Sequence, residues 1–278
     1  MNSQNFIKTN SCIPDSFTIV TGASSGLGKE FCVQSASMGY NLIMIALPGS
    51  NIALFGNHIA QTYQIQVKTF EFDITNRLLL QEKLQFIINH YSINRLINNA
   101  GIGGSELMRH ASIDQLDRIL QVNIQSMVYI TRRLLPHLLK QNKSYIINVA
   151  SMAAFTPIAY KTVYPASKAF VSAFSMSLRE EFRGTGLSVS TVYPGPIMTN
   201  SNTSERIISH GFISKLGLLS TTDIVQTTLR KSLFNKGKII PGWFNKLNYF
   251  LLKILPINYS VHIVSNSVFK ELIIKTSK

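Results

Sequence analysis

The chain has 278 residues, within the range of one large α/β domain, and 45% of them are hydrophobic. That is enough for a sizeable core and excludes an intrinsically disordered chain. Two cysteines, Cys12 and Cys32, are too widely spaced for a zinc or redox motif. They exclude a disulfide framework and suit a reducing compartment.

The net charge is +14 and uneven: residues 1–202 carry sixteen Lys/Arg against ten Asp/Glu, residues 203–278 eleven against three. A solvated basic surface is the first reading; a face for anionic lipid or an acidic substrate is the second. No nucleic acid is expected, because the basic residues are scattered rather than blocked. The opening stretch "MNSQNFIKTNSCIPDS" is polar and lacks the apolar centre of a secretory signal. No run reaches the roughly 18 apolar residues of a membrane span.

Strand and helix patterns alternate along the chain. "FTIV" (17–20) is a strand running into a glycine-rich turn, and a helix follows over 26–38. "YNLIMIAL" (40–47) and "VKTFEFDI" (67–74) are strands. Residues 77–91 have helical spacing, and "INRLINNAG" (93–101) is strand then turn. A long helix covers 112–140, "SYIINVAS" (144–151) is a strand, and a helix spans roughly 161–183. "LSVSTVYPG" (187–195) is a strand ending in a breaker, 221–235 is helical, and "GKIIPG" (237–242) is a last short strand. Such alternation predicts an α/β fold: a doubly wound parallel sheet with helices on both faces, three layers in a single domain.

The turn "TGASSGLG" (21–28) sits where the first strand meets the first helix. There Gly22 lets the backbone approach a ligand, and Gly26 and Gly28 let the helix start pack close to the sheet and a pyrophosphate. A helix N-terminus attracts phosphate, and Ser24 and Ser25 add hydroxyls. The spacing is neither G-x-G-x-x-G nor a P-loop.

"VYPASKAF" (163–170) puts Tyr164 four residues before Lys168, on one helix face. Pro165 is tolerated only in the first helical turn, so the tyrosine lies near the helix start, at the carboxyl edge of the sheet where such folds bind ligands.

"TGASSGLG", "NNAG" (98–101), Asn123, Ser151, "YPASK" (164–168) and "PGPIMT" (194–199) stand in the order and spacing of the short-chain dehydrogenase/reductase family, which the chain resembles over about residues 17–200. The resemblance implies a Rossmann-type fold and an NAD(P)(H)-dependent oxidoreductase acting on a carbonyl or secondary alcohol. By that resemblance Tyr164 is the general acid/base, Lys168 lowers its pKa and holds the nicotinamide ribose, Ser151 orients the substrate oxygen, and Asn123 holds a water leading from Lys168 to solvent. It also implies cofactor contacts from Gly22, Ser24, Ser25, Gly26, Leu27 and Gly28; from Asp73 and Ile74; from Asn99, Ala100 and Gly101; and from Pro194, Gly195, Ile197 and Thr199. For Asp73 the alternative is a cap or first turn of the following helix. No metal is implied. A homodimer or homotetramer through the two long helices is common in the family.

The pattern departs after the second strand. "IALPGSN" (45–51) holds neither an acid, which would accept the ribose hydroxyls of NAD(H), nor an arginine. NADP(H) is favoured over NAD(H), with Ser50 or Asn51 as phosphate donors. Residues 199–221 are the expected substrate loop, and Phe155, Ile158 and Met198 line either an apolar pocket or the core. An apolar or acyl-chain substrate is the expectation. The competing class is a non-catalytic nucleotide-binding scaffold or sensor.

Residues 1–16 read as an N-terminal extension, 17–242 as the domain, and 243–278 as a basic amphipathic segment on the domain or a membrane surface. Within it "WFNKLNYFLLKILP" (243–256) reads first as a packed helix and second as an interfacial one. The expected location is cytoplasmic, with membrane association through this segment as the second reading.

Overall fold

Seven short apolar runs form the strands of one sheet, and the helices between them carry the chain from each strand to the next. The computed structural model describes residues 16–197 and 218–276. The strands are β1 (Ser16–Thr21), β2 (Asn41–Ala46), β3 (Val67–Glu71), β4 (Ser92–Asn98), β5 (Ser144–Val149), β6 (Leu187–Val192) and β7 (Lys238–Ile239). Their order is β3-β2-β1-β4-β5-β6-β7, and every neighbouring pair is parallel. The helices are α1 (Gly26–Ser37), α2 (Ile52–Tyr63), α3 (Arg77–His90), α4 (Ile113–Leu120), α5 (Met127–Leu139), α6 (Val163–Glu181), α7 (Thr221–Leu233), α8 (Trp243–Ile254) and α9 (Ile257–Thr276).

Polar caps start several helices. The Asn76 side chain accepts from Leu79 N at 3.1 Å, Ser112 from Gln115 N at 3.3 Å, and Ser220 from Asp223 N at 3.0 Å. Each satisfies one N–H that the helix cannot.

Alternation along the strands divides the core. Leu42 and Met44 pack with Phe31 of α1 and Ile59 of α2, on the same side as Leu229 of α7. Ile43 and Ile45 pack with Leu80 of α3 and Leu134 of α5, on the side that also holds Leu178 of α6. All of these are buried, and burying each contributes roughly 1.5–3 kcal/mol. A sheet covered on both faces has strands that are apolar throughout, as β2 is from Leu42 to Ala46. The fold is a three-layer, Rossmann-like α/β sheet. The strand order reverses at β1, between β2 and β4. The carboxyl edge beside that reversal is where such sheets bind ligands.

Several elements are shorter than the apolar runs suggested. β3 stops at Glu71 rather than 74 and β5 at Val149 rather than 151, while β4 ends at Asn98 ahead of its expected turn and β6 at Val192 ahead of the Pro194-Gly195 breaker. In each case the chain leaves the ladder at the carboxyl edge and turns into the cleft described below. The helix expected over 112–140 is interrupted by a π-helical turn, Gln121–Ser126.

The C-terminal segment forms two helices, and α8 packs on the domain through one side. Its one buried residue is Asn245, and the Tyr249 ring sits 4.5 Å from Phe155. Phe244 and Leu252 are half-buried, and Trp243, Leu247, Phe250, Leu251 and Ile254 are exposed. α9 lies against the chain before α6: Ser265 Oγ accepts from Ala159 N at 2.9 Å, and the Phe269 and Tyr160 rings stack at 5.4 Å.

Candidate active site

The end of β4 locks the glycine turn to the sheet. Asn99 Nδ2 donates to Thr21 O at 2.9 Å and to Gly22 O at 3.1 Å. Thr21 Oγ1 accepts from Asn99 N and Ala100 N, both at 3.0 Å. Gly22 has φ +65°, and a Cβ there would stand 2.9 Å from Ala100 Cα. A Cβ on Gly28 would overlap the Gly22 carbonyl oxygen. The turn therefore admits no side chain at either position. Ser25 caps α1 without a side-chain hydrogen bond, so the first N–H groups of the helix lack internal partners. Ser25, Gly26 and Leu27 line a cleft of about 490 Å³, a volume suited to a cofactor. The backbone room and the free N–H groups fit a dinucleotide pyrophosphate.

Across the cleft, Asp73 Oδ2 pairs with Arg118 at 2.7 Å, and Asp73 Oδ1 accepts from the Thr75 N–H and hydroxyl at 2.9 and 2.8 Å. Burial pushes this carboxyl up, but the Thr75 and Arg118 bonds outweigh it and hold the pKa below the ordinary value. Asn76, not Asp73, caps α3. Arg118 also lines the cleft; nothing in its local sequence marks it.

Lys168 is buried, and its Nζ donates to Val149 O at 2.9 Å. Desolvation lowers its pKa to about 8. Nζ lies 5.9 Å from the Tyr164 ring centroid. Tyr164 is the second residue of α6, and Pro165 falls in the first turn. Burial raises the Tyr164 pKa, and a hydrogen bond with Ser151 only partly offsets this. The Lys168 ammonium is turned to Val149, and burial dominates at the phenol. Ser151 Oγ also accepts from Ala153 N at 3.1 Å. Gly103 covers the tyrosine: a Cβ there would reach within 2.9 Å of its ring.

Asn123 lies in the π turn. Its Oδ1 accepts from Ile102 N, and its Nδ2 donates to Ile102 O and to Ser167 Oγ, each at 2.9 Å. The side chain clamps the 99–102 turn to α6. Of the residues named from sequence, Gly28 and Asn123 stand behind the cleft wall and Thr199 lies outside the described residues. The other catalytic and cofactor residues implied by the resemblance line the cleft, whereas Ser50, Asn51, Phe155 and Ile158 do not. Met198 and most of the expected substrate loop also fall outside the described residues. Phe155 is spent on a stack between Tyr193 at 4.7 Å and Tyr249 at 4.5 Å. An exposed apolar side chain that shares the cleft with Tyr164 is Ile102.

Glu71, at the end of β3, was missed. Its carboxylate accepts from Gly49 N at 3.1 Å, Ser50 Oγ at 3.2 Å and Ile52 N at 3.1 Å. The Ile52 and Gly49 N–H groups hold its pKa below the ordinary value. Among the described residues no group of three or more His, Cys, Asp or Glu is placed to hold a metal.

Comparison with known proteins agrees with this geometry. Residues 16–207 match the family model described as short chain dehydrogenase. An uncharacterized oxidoreductase of Staphylococcus epidermidis is 30% identical over 188 residues, covering 67% of this chain and 80% of that protein. The fold matches a short-chain dehydrogenase from Sphingobium yanoikuyae in complex with NADPH, with TM-score 0.72, 21% identity, and 87% and 96% of the two chains covered. It also matches a short-chain dehydrogenase/reductase from Burkholderia phymatum in complex with NAD, with TM-score 0.74, 20% identity, and 86% and 92% covered. By the family match and the unbroken seven-strand order, the chain belongs to the short-chain dehydrogenase/reductase family of oxidoreductases.

Proposed function

We propose that the chain transfers hydride between NADP(H) and an apolar ketone or secondary alcohol. The observation that carries this is the convergence of Tyr164, Ser151 and Lys168 in the cleft that begins at the glycine turn. When bound, the nicotinamide supplies or accepts the hydride. In reduction, the Tyr164 hydroxyl gives its proton to the substrate oxygen as negative charge develops there. Its burial-raised pKa keeps that proton in place beforehand. The Ser151 hydroxyl donates to the same oxygen and orients it. In oxidation, Tyr164 must first lose its proton. The Lys168 ammonium, 5.9 Å from the Tyr164 ring centroid, favours that loss and would hold the nicotinamide ribose. Asn123 acts as a positioning residue by fixing Ile102 and Ser167. The exposed Ile102, which lines the cleft with Tyr164, supports an apolar substrate.

The NADP(H) preference rests on Leu47, which is 53% exposed where an acid would repel a 2′-phosphate. Glu71 works against it, because its carboxylate already holds the Ser50 hydroxyl.

The test is titration of the purified chain with NADPH and NADH, followed by nicotinamide fluorescence, then a screen of apolar ketones. Tighter NADPH binding with turnover is the expected result. NADH preference overturns the ribose-site reading alone; binding of neither by folded protein overturns the enzyme reading and leaves a non-catalytic scaffold.

A further inference from the structure

Between Asp223 and Glu271 the sequence contains no acid. In that interval Arg230 and Lys231 of α7, Lys236, Lys238 of β7, and Lys246 and Lys253 of α8 gather on one side of the fold. Lys231 feels them directly: after burial, the like charges of Lys246, Arg230 and Lys236 lower its pKa. Arg230, Lys231, Lys236 and Lys238 surround Phe234 in a shallow basic depression. None of these six cations pairs with an acid among the described residues. Lys238 instead donates to the Tyr249 hydroxyl at 2.8 Å.

α8 adds an apolar sector beside this charge. At about 100° per residue, Trp243, Leu247, Phe250 and Ile254 fall within one narrow arc. Lys246 and Lys253 border it along one side, and Asn245 and Tyr249 lie on the opposite, packed side. Trp243 is 70% exposed, Phe250 58% and Ile254 63%. The exposed surface continues over Leu255, Ile257 and Tyr259. Large side chains projecting from a helix, with cations along their border, suit the headgroup region of a bilayer. There aromatic rings sit at the interface and lysines meet anionic headgroups. Self-association through this face is disfavoured, because a second copy would bring the same uncompensated cations against it. No helix among the described residues is long and apolar enough to span a membrane.

We propose that α8, with the basic residues of α7 and β7, docks the protein on an anionic membrane surface. The inference does not depend on the catalytic reading. Trp243 is the single tryptophan of the chain, so the docking face carries its own fluorophore. The full-length protein is mixed with vesicles of phosphatidylcholine alone or with added phosphatidylglycerol. Sedimentation and tryptophan emission are both recorded. At roughly 0.1 M salt, where the Debye length is about 10 Å, binding to anionic vesicles with a blue shift of emission is expected. Neutral vesicles give neither, and high salt reverses both. The triple variant Lys231→Gln, Lys246→Gln, Lys253→Gln should bind roughly 100-fold more weakly, at about 1 kcal/mol per charge. Phe250→Ser, which keeps the fluorophore, should reduce the blue shift. Absence of binding overturns the proposal, as does sedimentation with unchanged emission, which would place the contact elsewhere. A homodimer that Phe250→Ser converts to monomer would also overturn it, by assigning the face to a second copy.

Discussion

Each edge of the sheet buries a cation, and the two are held in different ways. At the carboxyl edge Lys168, 5% exposed, donates to the single carbonyl of Val149. Toward the amino edge Arg95 of β4, 1% exposed, lies between the rings of Tyr40 at 4.1 Å and Tyr145 at 4.9 Å. Neither has an acidic partner among the described residues. Arg95 Nε and Nη1 have no hydrogen-bond acceptor either. A guanidinium cannot shed its proton, is weakly hydrated and stacks on aromatic faces. It tolerates this environment by cation–π contact. An ammonium is strongly hydrated and responds to burial by losing basicity, which brings Lys168 to about pH 8. The first arrangement is a permanent structural charge. The second is a charge near its switching point, set beside a phenol.

The largest effect is expected at the phenol. Tyr164→Phe should fold and bind NADPH yet lose turnover by about 10²–10⁴-fold, the usual worth of a general acid; steady-state assays paired with the fluorescence titration measure both. Retained turnover would remove the proton-donor role and, with it, the reason to place a switchable cation there.

Lys168→Met tests the switch through stability. The folded pKa of about 8 lies below the ordinary 10.5. Between those values the unfolded chain binds more protons, so stability rises with pH in that window. The penalty present below pH 8 is about 3 kcal/mol at 1.36 kcal/mol per unit. Loss of the Val149 hydrogen bond returns about 1 kcal/mol. The variant should therefore be more stable than the parent at pH 7, and that difference should shrink between pH 8 and 10.5. It should also lose turnover. Urea unfolding across that range is the measurement.

Leu47→Asp should shift preference toward NADH by about fivefold, the scale of an exposed charge pair. Glu71→Gln should shift it the other way by less, since it frees Ser50 without adding charge. Paired cofactor titrations read both. The smallest effect is expected from Arg95→Met, which keeps most of the volume and should change stability by no more than about 1 kcal/mol, with turnover intact. A large loss of turnover would mean that the two edges are coupled.

The glycine turn, "NNAG" and the Tyr164–Lys168 pair were legible because each is local: a strand end, a fixed spacing and a backbone demand sit in one short stretch. What was not legible depends on sheet neighbours. Glu71 lay inside a stretch already read as a strand. Its grip on Gly49, Ser50 and Ile52 follows only from β2 and β3 being adjacent. Arg118 meets Thr75 from 43 residues away. Strand ends were overextended because Phe72 and Ile74 are apolar for a different reason: they wall the cleft. The apolar content of α8 suggested packing, but composition does not say which way a stripe faces, and its one buried residue is a polar Asn245.

The π turn at Gln121–Ser126 has a consequence for how this chain tolerates length changes. A π turn is an α-helix carrying one extra residue. Deleting a residue within it would restore a regular ladder and make α4 and α5 one better helix. The wider turn absorbs that residue, so the flanks would keep their facing, but the residues inside it would be re-spaced and the Asn123 amide would leave Ile102 or Ser167. The most helix-friendly single deletion in this segment is thus also one that would unhook the turn before Gly103 from the helix that carries Tyr164.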